Sequence, residues 1–389
     1  MSAPFSRPLI ALAVWIVAGA AFAAAATHKQ TASSGINPEA FRGAIVLDAA
    51  TGKVLFEDRA DVQSPPASVT KLMTFYIVEE KIRAGELKLD TPVTVSAEAS
   101  HTGGSRVWLV DKEQISVEEL LYALMVPSAN DAAVALATQV SGSKAAFVDL
   151  MNIKAKEIGM NNTVFRSPHG LPPDVRKGQE PDLSTARDIA TLARKLVAET
   201  DILKYSSTRH RPFKHQNGKV IEMDNHNHLL GSVPGCDGLK TGYYKEAGFS
   251  LASTVQRNGR RIIVVVLGSP AGQGSHQWEL RDTVTTQLIE RGFAALPPPT
   301  SPVASAVPAG ATAPAPGTSG PAIAGAPAAS TPSPAQAAPL PPGAPAPIPA
   351  NDPTAPSLIP VGTDGPKPTK DSDTPPDATV HLVIPGTKK

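Results

Sequence analysis

The chain holds a single cysteine, Cys236, among 389 residues. No disulfide can close within it, so its stability has to come from core packing. An excess of either charge is missing too. Its 36 Lys and Arg residues balance 35 Asp and Glu to a net charge of +1, which argues against the basic stripe of a nucleic-acid binder. Large apolar residues are sparse after Ala295, where 25 of the 39 prolines fall among Ala, Ser and Thr. Such a segment cannot offset the entropy of ordering, so residues 297–389 are expected to form a disordered, partly polyproline-like tail. Its end, TVHLVIPGTKK, is too short and too weakly amphipathic for a helix lying on a membrane.

What is present begins with an export signal. Arg7 precedes the apolar run PLIALAVWIVAGAAFA, and the spacing Ala21-Phe22-Ala23 suits signal peptidase. Residues 1–26 are expected to be a signal peptide, which places the rest outside the cytoplasm, in a periplasm or cell envelope. No cysteine follows the run to carry a lipid, and membrane attachment is left open.

Between these ends the apolar pattern predicts one large domain. AIVLDAATGKVLFE reads as a hairpin turning at Gly52. Val69, Leu72, Met73, Tyr76 and Ile77 follow the spacing of one buried helical face, with Ser68 at its head, and Val117 to Met125 repeat that spacing up to Pro127. Asn130 or Asp131 is expected to cap a third helix, and Ser184 or Thr185 a fourth through STARDIATLARKLV. GFSLASTV, an Asn258-Gly259 turn and RRIIVVVLG predict two late strands, the second covered on both faces. Trp278 to Phe293 predict a closing helix. The fold class is therefore α/β of the α+β type: a sheet built from both ends of the domain, helices on it, and a helical insertion between.

The chemistry sits in short motifs. On a helix, Ser68 and Lys71 share a face, so hydroxyl and amine meet at one point. A serine is a weak nucleophile until a base takes its proton, and a lysine can serve once burial or a second cation lowers its pKa. Ser-x-x-Lys is common by chance and recurs as Ser141-Gly-Ser-Lys144, so the pair alone decides little. Its company decides more. Ser128-Ala-Asn130 falls in the break between two predicted helices, and Lys240-Thr241-Gly242 precedes the late strands, with Gly242 expected to leave that strand's backbone open to a substrate.

Ser-x-x-Lys, then Ser-x-Asn, then Lys-Thr-Gly, in that order, is the signature of penicillin-binding proteins and serine β-lactamases. The runs IVLDAATGKVLFEDRADVQSPPASVTKLMT, GGSRVWLVDKEQISVEELLYALMVPSANDAAVALA and GCDGLKTGYYKEAGFSLAST resemble the low-molecular-mass D-alanyl-D-alanine carboxypeptidases over residues 37–296. The resemblance implies a serine β-lactamase/DD-peptidase-like fold, mostly antiparallel sheet flanked by helices with a helical subdomain. It further implies that Ser68 attacks a D-Ala-D-Ala bond, Lys71 takes its proton and Ser128 relays one to the leaving D-alanine. By the same resemblance Asn130 holds Lys71 and the substrate amide, Lys240 and Thr241 hold the substrate carboxylate, and the N–H groups of Ser68 and Tyr243 form the oxyanion hole. No metal and no organic cofactor is implied; the partners are peptidoglycan stem peptides, with β-lactams as inhibitors.

Some features depart from the family. Where many relatives carry a carboxylate-gripping arginine after the last core strands, this chain has Ser275, with His276 beside it and Arg281 further on. A second position, basic in some relatives, reads Asn225-His226-Asn227-His228, which would set His226 and His228 on one side of a strand. The alternative of a D,D-endopeptidase with the same machinery therefore stays open, as does a non-catalytic peptidoglycan-binding scaffold. A β-lactamase fits less well, since no Glu-x-x-Leu-Asn run lies between Asn130 and Lys240. Cys236 is expected to be a small buried apolar residue, and Tyr243-Tyr244 to line the groove.

Overall fold

Strands buried on both faces, with helices packed against them, account for the architecture. The computed structural model describes residues 35–272, 276–297 and 382–383. The signal segment, Ser275 and nearly all of the proline-rich tail lie outside those residues. Strands β1 (Gly43–Asp48) and β2 (Val54–Asp58) form the expected hairpin. A 3₁₀ turn, Ala67–Thr70, runs directly into α1 (Lys71–Arg83), whose residues from Lys71 to Glu79 are all buried. Then come β3 (Pro92–Thr94), α2 (Ala97–Ser100), β4 (Gln114–Ser116), α3 (Val117–Met125), α4 (Asn130–Ser141) and α5 (Lys144–Glu157). Together with α1 they make up the helical part.

Next come α6 (Ala186–Glu199), α7 (Ile202–Ser206), β5 (His210–Lys214) and β6 (Val220–Asp224). The late strands are β7 (Cys236–Tyr244), β8 (Gly248–Arg257) and β9 (Arg260–Ser269), followed by α8 (Glu279–Ala295). The turn between β8 and β9 has positive φ at both Asn258 and Gly259, as a tight hairpin requires. Five strands form one antiparallel sheet in the order β2-β1-β9-β8-β7.

The predicted two-faced strand is β9. Its Ile263, Val265 and Leu267 join the core under α1, α3, α4 and α6, while Ile262, Val264 and Val266 join a second core under α8. Gly292 lets α8 approach closely, since a Cβ there would stand 2.7 Å from Val46 Cγ1. In the tail, Leu382–Val383 form β10, antiparallel to β6. No helix among the described residues is long and apolar enough to cross a membrane.

Caps test the local readings. Thr185 caps α6 as expected, its Oγ1 accepting from Asp188 N at 3.1 Å. Thr185→Ala is expected to lower stability by about 1 kcal/mol, read as a fall of about 2–4 °C in Tm; an unchanged Tm would show the cap to be idle. Neither Asn130 nor Asp131 caps α4. The N-cap is Ala129, without a side-chain bond, because Asn130 turns toward Lys71 and Asp131 toward Val107 N and Leu109 N. In the Ser141-Gly-Ser-Lys144 decoy, Ser143 caps α5 through Ala146 N and Lys144 pairs with Glu98.

Candidate active site

Ser68 lies in the 3₁₀ turn rather than in an α-helical turn, and the difference brings it closer to Lys71. At three residues per turn, positions i and i+3 eclipse each other, and Lys71 Nζ stands 2.9 Å from Ser68 Oγ. The turn is entered through Ala67 at φ +50°, a left-handed conformation that favours glycine.

Lys71 is fully buried, and its ammonium form is disfavoured first by desolvation and next by the charge of Lys240. Both act to hold its pKa well below that of an ordinary lysine. Its other neighbours fix the direction of the amine. Nζ donates to Asn130 Oδ1 at 2.6 Å and to the backbone oxygen of His169 at 2.7 Å. Asn130 Nδ2 donates to Gly103 O at 2.9 Å, which settles which end of the amide faces the lysine. A neutral amine has two N–H bonds and one lone pair. With both N–H bonds aimed at oxygens that only accept, the lone pair is left for the Ser68 hydroxyl.

The His169 contact was not foreseen from the sequence. It is delivered by a strap, residues 166–170, tied down by buried Asp182. The Asp182 carboxylate accepts from Arg166 N, Ser167 N, Ser167 Oγ and Thr70 Oγ1 at 2.6–3.0 Å. Thr74 Oγ1 donates to Pro168 O at 2.6 Å. The strap runs so close to the serine that a Cβ on Gly170 would fall 2.0 Å from Ala67 O, and Gly170 itself sits at φ +79°. Arg-Ser-Pro-His-Gly reads as an ordinary turn in sequence, so nothing there marks it.

The remaining predicted residues line the same region. Ser128 is 3 % exposed, at φ +64°, and its Oγ has no hydrogen-bond partner. A buried hydroxyl left open on a strained backbone is a feature of sites rather than of cores. Lys240 and Thr241 are buried on β7, the outer strand of the five. Desolvation lowers the Lys240 pKa to about 7, with the Arg281 charge adding to the effect. Arg281 itself is 3 % exposed and ion-paired with Asp282.

Gly242 packs against the turn that carries Ser68. Its missing side chain makes room for the nucleophile turn: a Cβ there would meet Pro66 O at 2.5 Å and Ser68 N at 3.0 Å. Tyr244 is buried with Ala67 and Ala247, whereas half-exposed Tyr243 stacks on Phe249 with centroids 4.0 Å apart.

His226 and His228 are not on a strand. β6 ends at Asp224, where Asn225 Oδ1 accepts from Asn227 N and Asn227 Oδ1 from Leu229 N, turning the chain away. His226 is pushed down to about 3 by desolvation and by Lys240, and His228 faces Trp278 and Asp282. No cluster of three or more metal-ligating side chains occurs among the described residues. Cys236 is only half-buried, with Sγ 3.5 Å from Ser253 Oγ.

Comparison with known proteins adds the lineage. Residues 28–271 match the profile of a peptidase family described as D-alanyl-D-alanine carboxypeptidase. The D-alanyl-D-alanine carboxypeptidase DacF of Bacillus subtilis is 36 % identical over 252 residues, 65 % of this chain and 62 % of the relative. DacC of Escherichia coli is 37 % identical over 259 residues, 65 % and 61 % of the two chains. The chain thus spans about three fifths of the length of the curated relatives it matches. Among solved structures, a Listeria monocytogenes penicillin-binding protein in its ampicillin-bound form aligns with a TM-score of 0.56 at 32 % identity, covering 65 % of this chain and 97 % of that one. The carboxypeptidase DacD of Francisella tularensis aligns with a TM-score of 0.59 at 32 % identity, covering 65 % and 70 %.

Proposed function

The chain belongs to the D-alanyl-D-alanine carboxypeptidase family, and from that premise we propose that it is an exported serine peptidase releasing the terminal D-alanine of peptidoglycan stem pentapeptides. The observation that carries the reading is the buried Lys71 amine, held by two acceptors and 2.9 Å from Ser68 Oγ. A mere binding groove has no use for a nucleophile and base so arranged.

In this reading the stem peptide lies along the outer edge of β7 as an added strand. Ser68 Oγ bonds to the carbonyl carbon of the penultimate D-alanine while its proton passes to Lys71 Nζ. Such base assistance is worth roughly 10²–10⁴ in rate. The N–H groups of Ser68 and Tyr243 receive the oxyanion, each donor typically worth about 10²–10³. Ser128 passes a proton to the nitrogen of the leaving D-alanine, and the C–N bond breaks. Water then hydrolyses the acyl-serine, returning Ser68 and free acid. Lys240 and Thr241 receive the terminal carboxylate, and buried Arg281, whose charge acts on Lys240, reinforces the positive potential there. Penicillins, whose strained amide presents a similar carbonyl, acylate Ser68.

The test is to incubate the protein with a stem pentapeptide ending in D-Ala-D-Ala and, separately, with a cross-linked peptide dimer. Free D-alanine from the pentapeptide is the expected result. Cleavage of the dimer alone would replace the carboxypeptidase by an endopeptidase, and binding without cleavage of either would leave a scaffold.

A further inference from the structure

Residues Arg106 to Val110 form a ridge that the peptide chemistry leaves unused. Burial alternates along it: Val107 is 0 % and Leu109 3 % exposed, while Trp108 is 46 % and Val110 51 % exposed. The inner side is anchored at every step. Asp131 accepts from Val107 N and Leu109 N at 3.3 and 3.0 Å. Glu113 accepts from Val110 N at 3.1 Å, and His215 Nε2 bonds Val107 O at 2.9 Å. A backbone fixed in this way presents its outward side chains in a set orientation.

Trp108 holds φ at +62°, a left-handed conformation unfavourable for any residue with a Cβ. The Arg106 guanidinium lies 3.8 Å above the indole, a cation–π contact that keeps both groups in register. Strain kept at an exposed indole does not help a core, and points to function. The ridge also starts at the cleft. Ser105 O accepts from Asn130 N at 2.7 Å, and Gly103 O from Asn130 Nδ2. Ser105 and Trp108 are three positions apart in the chain, a span of at most about 10 Å.

We propose that Trp108 and Arg106 form a saccharide subsite for the glycan strand to which the stem peptide is attached. A pyranose presents an apolar face of C–H bonds and a polar rim. The face stacks on the indole, whose size and rigidity suit it, and the rim oxygens accept from the Arg106 fork. A protein partner fits less well, because one indole and one valine fall far short of the roughly 1,200–2,000 Å² that a stable protein contact buries. The proposal rests on the peptidoglycan reading above, and it makes polymeric or disaccharide-linked substrate preferable to free peptide.

The experiment measures kcat/KM for D-alanine release from a disaccharide-linked pentapeptide and from the free pentapeptide, and takes their ratio. Trp108→Ala is expected to lower that ratio five- to tenfold through KM, and Trp108→Phe to restore at least half of the loss. In parallel, calorimetry with peptide-free glycan chains should show binding by the parent that weakens at least fivefold in Trp108→Ala. Where that variant does not fold, Arg106→Ala carries both readouts, with a fall of at least threefold expected. An unchanged ratio with unchanged glycan binding overturns the subsite. If the parent releases no D-alanine from either substrate, the enzymatic reading fails, and the calorimetry still decides the subsite by itself.

Discussion

Ser68→Ala is expected to remove both D-alanine release and covalent labelling by a fluorescent penicillin, while leaving the fold intact. The loss should be about 10⁴-fold or more, the scale on which deletion of a nucleophile acts. The substitution is structurally mild. Ser68 Oγ makes its one described contact with Lys71 Nζ, and the surrounding turn is fixed by other groups: the Gly170 strap, Gly242 on β7, and Thr70 bound to Asp182. A near-parental Tm with no labelling would separate chemistry from stability. Labelling that persists in Ser68→Ala would move the nucleophile elsewhere, with the buried, unpartnered hydroxyl of Ser128 as the next candidate.

The second large effect concerns the base. Lys71→Met keeps length and suits a buried position, and it is expected to slow acylation by about 10²–10⁴. Lys71→Arg should be as damaging although it keeps the charge, because a guanidinium stays protonated and cannot accept the serine proton. Equal losses would assign Lys71 to proton transfer; near-parental activity in the arginine variant would reduce it to an electrostatic prop.

The pH profile follows from the same groups. In the proposed reaction Lys71 acts as the neutral amine, so kcat/KM should rise with pH through its lowered pKa. Lys240 in that reaction acts as the cation, so kcat/KM should fall again as pH climbs through about 7. Bound substrate brings a carboxylate that favours charged Lys240, and the alkaline limb of kcat should therefore lie at higher pH than that of kcat/KM. Coincident limbs would take Lys240 out of carboxylate binding.

Legibility differed by the range of the interaction. The β8–β9 hairpin and the two-faced strand β9 were readable because Asn258-Gly259 and the unbroken run Ile262 to Leu267 are local signals. Ser68 and Lys71 were readable as a spacing. Misreadings arose where a side chain had two possible partners. Asn130 and Asp131 look like caps, yet each forms a contact 20 or more residues away in the chain, with Lys71 in one case and Val107 and Leu109 in the other. The packing of Gly242 against the Ser68 turn was also out of reach, because sequence does not show what lies against a strand. The strap was invisible for a stronger reason: its contribution to the site is a backbone oxygen, that of His169, and every residue carries one.

The position of β9 sets how the molecule can open. Paired with β1 on one side and β8 on the other, and covered by a core on each face, its amide hydrogens can exchange with solvent only when the whole sheet comes apart. β7, two strands away at the margin, is paired with a strand of this sheet on one side alone, so it can open at a lower cost than β9. Loosening at that margin thus need not propagate to the centre, and the edge strand can open without the molecule approaching its global unfolding transition.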